Sequence, residues 1–227
     1  VLVGVTDTAF VESVDLANNA AEAGATAAVF SAPYYFPAGQ PELLEYVTHL
    51  VKEIPLPVFL YNMPSLTKTT FGLDLLAEAV QMPGIAGLKD SSGDINYFRQ
   101  AVAVAKSRPD FAVLMGPEEI LTEAITAGGH GGVCGGANLR PQILVGLYEA
   151  LAAGDTARAA ELQADVIRQS DLLYHIGRHS SAIIKGIKCA LSCLGICDDW
   201  LAEPFNRFNP PERERVERVL RELGLGG

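Results

Sequence analysis

Within the first 134 residues, short runs of aliphatic and β-branched residues give way six times to longer amphipathic stretches. That alternation restricts the possible folds more than any other feature of the sequence. The runs are Leu2 to Val5, Ala27 to Ala32, Pro57 to Tyr61, Ile85 to Lys89, Ala112 to Met115 and Gly131 to Cys134. Helical periodicity fills the intervals near 10–24, 41–53, 73–81, 95–106 and 118–127. Strands alternating with helices predict a parallel sheet with helices packed over it. The almost wholly apolar runs AAVF, VFLY and AVLM predict strands buried on both faces. After the sixth run the pattern is helical throughout, near 141–153, 155–176, 181–195 and 211–223, with Asp155 placed after Gly154 to cap the second of these.

The expected architecture is therefore α/β, a TIM (β/α)8-type barrel of about six βα units followed by a C-terminal helical extension. With 227 residues, one domain suffices: 1–140 as the barrel portion and 141–227 as its last helices and the extension. Barrels of this kind have eight strands, so the sequence is expected to lack two βα units or to have an unusual strand count. A net charge of -10 and no basic stripe argue against a nucleic-acid partner. The first residues have no basic leader, and no run of about 18 apolar residues is present to span a membrane. Four cysteines without a C-x-x-C pair predict a reducing, cytoplasmic setting.

Chemistry in such a barrel belongs where strands end. Lys89 is the most informative residue there, because the apolar run Ile85 to Leu88 carries the chain through the core and presents an amine at its last step. Burial favours the neutral amine, which attacks carbonyl carbon to give an imine. The bland alternative is a lysine that reaches solvent or pairs with Asp90. Tyr61 ends the preceding strand and is placed to move a proton beside Lys89, and Tyr35 to extend a relay. For both tyrosines simple ring packing is the competing reading, and it is the preferred one for Tyr34.

Pro33-Tyr34-Tyr35, Leu60-Tyr61-Asn62-Met63-Pro64, Gly87-Leu88-Lys89-Asp90 and the segment Gly131 to Asn138 occur in order and with matching spacing. Together they resemble the dihydrodipicolinate synthase and N-acetylneuraminate lyase family over essentially the whole chain. The resemblance implies a Schiff-base aldolase or lyase acting on pyruvate or another 2-oxo acid and an aldehyde, with no metal or organic cofactor. It also implies a homo-oligomer, a dimer or a tetramer of tight dimers. Lys89 becomes the imine-forming residue, Tyr61 the general acid/base and Tyr35 the relay tyrosine. Leu66, Ser91, Gly116, Glu118, Glu119, Cys134 and Gly135 become the substrate-binding positions.

Two departures from the family pattern bear on substrate. The loop of glycine, hydroxyl residues and glutamate that holds the 2-oxo acid carboxylate is not present in the sequence. This motivates an alternative reading as a non-catalytic or incomplete member with a binding role. Five residues after the tyrosine, the synthases carry an arginine for the aldehyde carboxylate; Leu66 stands there and cannot make a bidentate pair. Ser91 and the Glu118–Glu119 pair fit the lyase and sugar-acid branches instead. Acidic residues in a first helical turn are equally expected from the helix dipole alone. Dihydrodipicolinate synthase proper, with the aldehyde carboxylate held by another residue such as Lys68, is the remaining alternative.

Cys189, Cys193 and Cys197 fall on one helical stripe and are read as core packing, not as a metal site. His175 and His179, four apart near Gly177, are read as solvent-exposed. The glycines from Gly128 to Gly132 lack the Lys-Ser/Thr of a phosphate cradle and are read as a turn into the sixth strand.

Overall fold

The structure is a computed structural model that describes residues 1–226. It divides into two compact units, Val1–Val133 and the residues from Cys134 onward. The first unit contains β1 (Leu2–Gly4), α1 (Phe10–Glu22), β2 (Ala27–Ser31), α2 (Gln40–Glu53), β3 (Val58–Asn62), α3 (Pro64–Thr67) and α4 (Leu73–Val80). It continues with β4 (Ile85–Asp90), α5 (Ile95–Ala105), β5 (Ala112–Met115), α6 (Leu121–Thr126) and β6 (Gly131–Gly132). The second unit is helical: α7 (Pro141–Ala152), α8 (Thr156–Leu173), α9 (Ala182–Cys193) and α10 (Pro210–Glu222).

All six strands are parallel and pair strictly in chain order, β1 to β6. A right-handed crossover through a helix lays each new strand beside the last, so an uninterrupted run of such units gives sequential order. This is an α/β fold of the TIM-barrel type, as the alternation predicts. The segment read as one helix over 118–127 is a 3₁₀ turn, Glu118–Ile120, leading into α6. The sixth strand stops at Gly132 instead of Cys134, and a second 3₁₀ turn follows at Gly135–Asn138. Pro64 at the first helical position, with φ already suited to a helix, starts the short α3 that periodicity alone does not reveal. Asp155 caps α8 as expected, its carboxylate accepting the Arg158 N–H at 3.0 Å.

The two faces of the sheet differ, contrary to the expectation that both are buried. Phe30, Leu60, Leu88 and Val113 are fully buried on one face. Val29, Phe59, Tyr61, Lys89 and Leu114 on the other are half-buried. The physical reason is that β1 and β6 are the sheet's two edges and are not paired with each other, so the second face is not enclosed. Strand alternation places Tyr61 and Lys89 on this half-open face, where a side chain meets both the core and solvent.

The second unit has its own apolar cluster, built from Leu173, Ile176, Ile187, Cys189, Val216 and Leu220 among others. Cys189 lies in it at 1% exposure and Cys193 packs against it, whereas Cys197 is exposed and so departs from the core-packing expectation. Burial pushes the Cys189 thiol up to about 12. His175 and His179 are exposed. Among the described residues no helix is long and apolar enough to cross a membrane.

Candidate active site

The site grows from one irregularity in strand pairing. Val58 of β3 pairs with Ile85 of β4, but the next residue, Phe59, pairs with Gly87, leaving Ala86 as an extra residue in β4. Such a bulge moves every later residue of the strand one place relative to its neighbour. As a result Leu60 pairs with Leu88, Tyr61 with Lys89 and Asn62 with Asp90. In unbroken register Tyr61 would face Leu88, and Lys89 would lie on the opposite face from the tyrosine. The shift puts phenol and amine side by side on the half-open face, with the Lys89 Nζ 4.2 Å from the centre of the Tyr61 ring. An ammonium over an aromatic face is attracted by the ring quadrupole.

Gly87 prepares that face one step below Lys89. A Cβ at Gly87 would run into the Phe59 ring and the Ala112 carbonyl oxygen, so only glycine leaves the ring its place there. Beyond the strand ends the ladder continues for one more step. The Ser91 N–H donates to the Asn62 carbonyl at 2.8 Å, the Gly116 N–H to the Asp90 carbonyl at 2.7 Å, and the Val133 N–H to the Met115 carbonyl at 2.8 Å. This fixes Ser91 and Gly116 next to each other. A Cβ at Gly116 would collide with the Ser91 hydroxyl, so the glycine leaves that oxygen its room.

Glu118 follows Pro117 and is 3% exposed, while Glu119 is half-buried; both stand in the first turn of the 3₁₀ segment, where the helix dipole also favours an acid. Leu66 lies on α3 at the rim and is 66% exposed. Tyr35 is 86% exposed, with Tyr34 and Phe36 beside it also exposed, and it makes no ring contact with Tyr61 among the described residues. The structure thus unites Lys89 with Tyr61 and Ser91 with Gly116, and leaves Tyr35 at the surface. Cys134 and Gly135 open the second unit, Cys134 half-buried and Gly135 at the start of the 3₁₀ turn. Among the described residues no group of three or more His, Cys, Asp or Glu could hold a metal ion.

Sequence reasoning considered Asp90 only as a partner for Lys89. Adjacent strand residues face opposite ways, and Asp90 turns inward at 0% exposure, where both carboxylate oxygens accept from Asn62 and Ser92. Burial holds its carboxyl above the ordinary carboxylate value, against the lowering effect of those hydrogen bonds. Burial, reinforced by the Asp90 charge, likewise raises the Tyr97 phenol, whose hydroxyl donates to the Phe71 carbonyl at 2.7 Å. Leu60 and Leu88 face the core, and Asn62 and Asp90, two residues later on their strands, share that face, a period-two relation readable from the strand runs.

A parallel βα sheet with a lysine and a tyrosine at adjacent carboxyl ends defines the kind of barrel in which strand-end side chains carry the chemistry. The chain matches the model of the Dihydrodipicolinate synthetase family over residues 1–223 and belongs to that family. It is 31% identical to "Probable 2-dehydro-3-deoxy-D-pentonate aldolase YjhH" of Escherichia coli K12, over 99% of this chain and 74% of that protein. It is also 31% identical to an uncharacterised DapA-like lyase of Halobacterium salinarum, over 99% of this chain and 71% of that one. Among solved structures, dihydrodipicolinate synthase from Bacteroides thetaiotaomicron superposes with a TM-score of 0.93 at 46% identity, covering 97% of this chain and 74% of that one. YagE of E. coli K12, a family member solved in complex with pyruvate, gives 0.91 at 27% identity, covering 99% and 75%.

Proposed function

We propose that the protein is a class I aldolase or lyase that joins pyruvate or a related 2-oxo acid to an aldehyde, or cleaves the adduct, through an imine on Lys89. The observation that carries this reading is the pairing of Lys89 with Tyr61 at the ends of β4 and β3, with Nζ 4.2 Å from the ring centre. The neutral amine adds to the keto carbon, and loss of water gives the iminium. Loss of a C3 proton gives the enamine, whose C3 attacks the aldehyde carbon. The Tyr61 hydroxyl gives a proton to the new alkoxide, and water releases the product and the free amine. Cleavage runs the same steps in reverse. No metal or organic cofactor enters the scheme.

Ser91, Gly116, Glu118 and Glu119 would border the acceptor with hydroxyl and carboxylate groups suited to sugar hydroxyls, and Leu66 would meet it with an apolar surface. Cys134 and Gly135 are assigned to substrate binding from their motif, and Tyr35 to a relay at the rim. We place the enzyme in the cytoplasm as a homo-oligomer. The names of YjhH and YagE's pyruvate complex support a 2-oxo acid aldolase of the sugar-acid kind. A second reading, dihydrodipicolinate synthase, is favoured by the 46% identity to the B. thetaiotaomicron protein of that name. Leu66 in place of an arginine speaks against it.

Incubation with pyruvate and borohydride, followed by mass spectrometry and peptide mapping, tests the mechanism. A reduced adduct on Lys89, absent in Lys89→Ala, is expected. Folded wild-type protein that gains no mass would refute it and favour a non-catalytic member. Turnover of aspartate semialdehyde in a coupled assay would move the assignment to the synthase.

A further inference from the structure

Asn62 and Asp90 directly follow Tyr61 and Lys89, and strand alternation turns them away from the half-open face into the core, at 1% and 0% exposure. The Asn62 Nδ2 donates to the Asp90 Oδ1 at 2.8 Å, and the Asn62 Oδ1 accepts the Phe71 N–H at 3.1 Å. Asp90 Oδ1 also accepts the Ser92 N–H at 3.1 Å, and Oδ2 accepts the Ser92 hydroxyl at 3.0 Å. The Ser92 oxygen in turn accepts the Asp94 N–H at 3.1 Å. Two strand ends and two loops therefore meet at this pair: the ends of β3 and β4, the loop after β4 that carries Ser91, and the loop leading from α3 to α4 that follows Leu66.

A buried carboxylate is costly, and two apolar residues of similar volume would fill the space without that cost. What the polar pair adds is direction, since a satisfied network holds its members in one geometry. Resting on the Lys89 reading above, we infer that Asn62 and Asp90 are positioning residues. They lock the carboxyl ends of β3 and β4 together so that phenol and amine stay in reach of one substrate atom, and they tie the Leu66 loop to the Ser91 loop. Gln40 offers a contrast. It holds the same Leu66 loop from outside, donating to the Thr70 carbonyl and accepting the Gly72 N–H, both at 2.8 Å, without touching Asp90.

The test compares wild type, Asn62→Ala, Gln40→Ala and the double variant Asn62→Leu/Asp90→Leu. Removing both polar side chains avoids a stranded buried charge and leaves only neutral donors, such as the Phe71 and Ser92 N–H groups, without their acceptors, a smaller cost, so the double variant keeps the question open where Asn62→Ala fails to fold. Imine formation is followed by borohydride trapping per folded molecule, well below each protein's unfolding temperature. Positioning predicts a maximal trapping rate about tenfold to a hundredfold lower in the double variant, with half-saturation by pyruvate changed less than about threefold, and a wild-type rate in Gln40→Ala. A merely structural role leaves the rate per folded molecule unchanged, so a double variant within about twofold of wild type overturns the inference. Acetylation of Lys89 by acetic anhydride, normalised to the other lysines, separates the two readings. If wild type forms no pyruvate adduct, the aldolase reading falls. A Lys89 acetylation rate altered by the double substitution and not by Gln40→Ala still supports the pair, and equal rates overturn it.

Discussion

Replacing Arg108 with alanine should lower stability substantially while leaving Lys89 chemistry unchanged. The Arg108 Nη1 lies 3.2, 2.8 and 2.8 Å from the carbonyl oxygens of Val80, Met82 and Ile85, and the side chain is only 21% exposed. Nη1 has two protons for three acceptors, so the set counts as two hydrogen bonds. A bond from a charged donor contributes about 1.5–3 kcal/mol when fully buried, and partial exposure of this guanidinium brings each to about 1–1.5 kcal/mol, so their loss costs about 2–3 kcal/mol. For a chain of this size each kcal/mol moves Tm by about 2–4 °C, giving a fall of about 4–12 °C in a circular-dichroism melt. Arg108 also faces Asp110, but that carboxylate is 75% exposed, and Asp110→Ala should hardly move Tm. Ile85 opens β4 and Lys89 nearly closes it, four residues later, or about 13 Å along an extended strand. Borohydride trapping at a temperature where the variant is folded should therefore match wild type. A Tm fall under about 2 °C, or a trapping rate that falls with stability, would refute the reasoning.

Three further outcomes are expected. Gly87→Ala overpacks the Phe59 ring and the β5 backbone and should cost about 1–3 kcal/mol, measured by urea unfolding; an unchanged midpoint would show that the ring has free space. Leu66→Arg changes an exposed rim position and should leave Tm unaltered while raising the selectivity for aspartate semialdehyde over uncharged aldehydes, and a constant ratio of kcat/KM would count against the rim assignment. Asp90, with its carboxyl raised above the ordinary value of 3.8, binds its proton more tightly folded than unfolded. Its contribution to stability is complete below the unfolded value and is lost as pH rises through the folded one. The Tm of Asp90→Asn minus that of wild type should therefore increase between pH 4 and pH 7, and a flat difference would contradict the raised carboxyl.

The strands and helices were legible because burial writes its period into the sequence. AVLM at Ala112–Met115 is a strand to the residue, and the amphipathic stretch near 41–53 is the helix Gln40–Glu53. Glycine hides that period, so the sixth strand was read too long. Lys89 and Tyr61 could be picked as strand-end residues, but their adjacency depends on Ala86, an ordinary alanine in an apolar run whose extra place is visible only in the pairing. Asn62 and Asp90 were hidden for a different reason. Their facing follows from the strand period, but the bonds that join them to each other and to the Phe71 N–H link positions 28 and 9 residues apart, and only the contact with Ser92, two residues on, is local.

That extra residue also says how such a site can be lost. Substitutions in β4 are judged one at a time by how well they fill the core, but a change that closed the bulge with every residue kept, so that Ala86 paired with Phe59, would pass that test and still turn the amine to the other face. A descendant carrying it would keep the hydrophobic pattern, the strand order and both Lys89 and Tyr61. Its amine and phenol would stand on opposite faces for want of one place in the pairing, so resemblance by residue type alone would misjudge it.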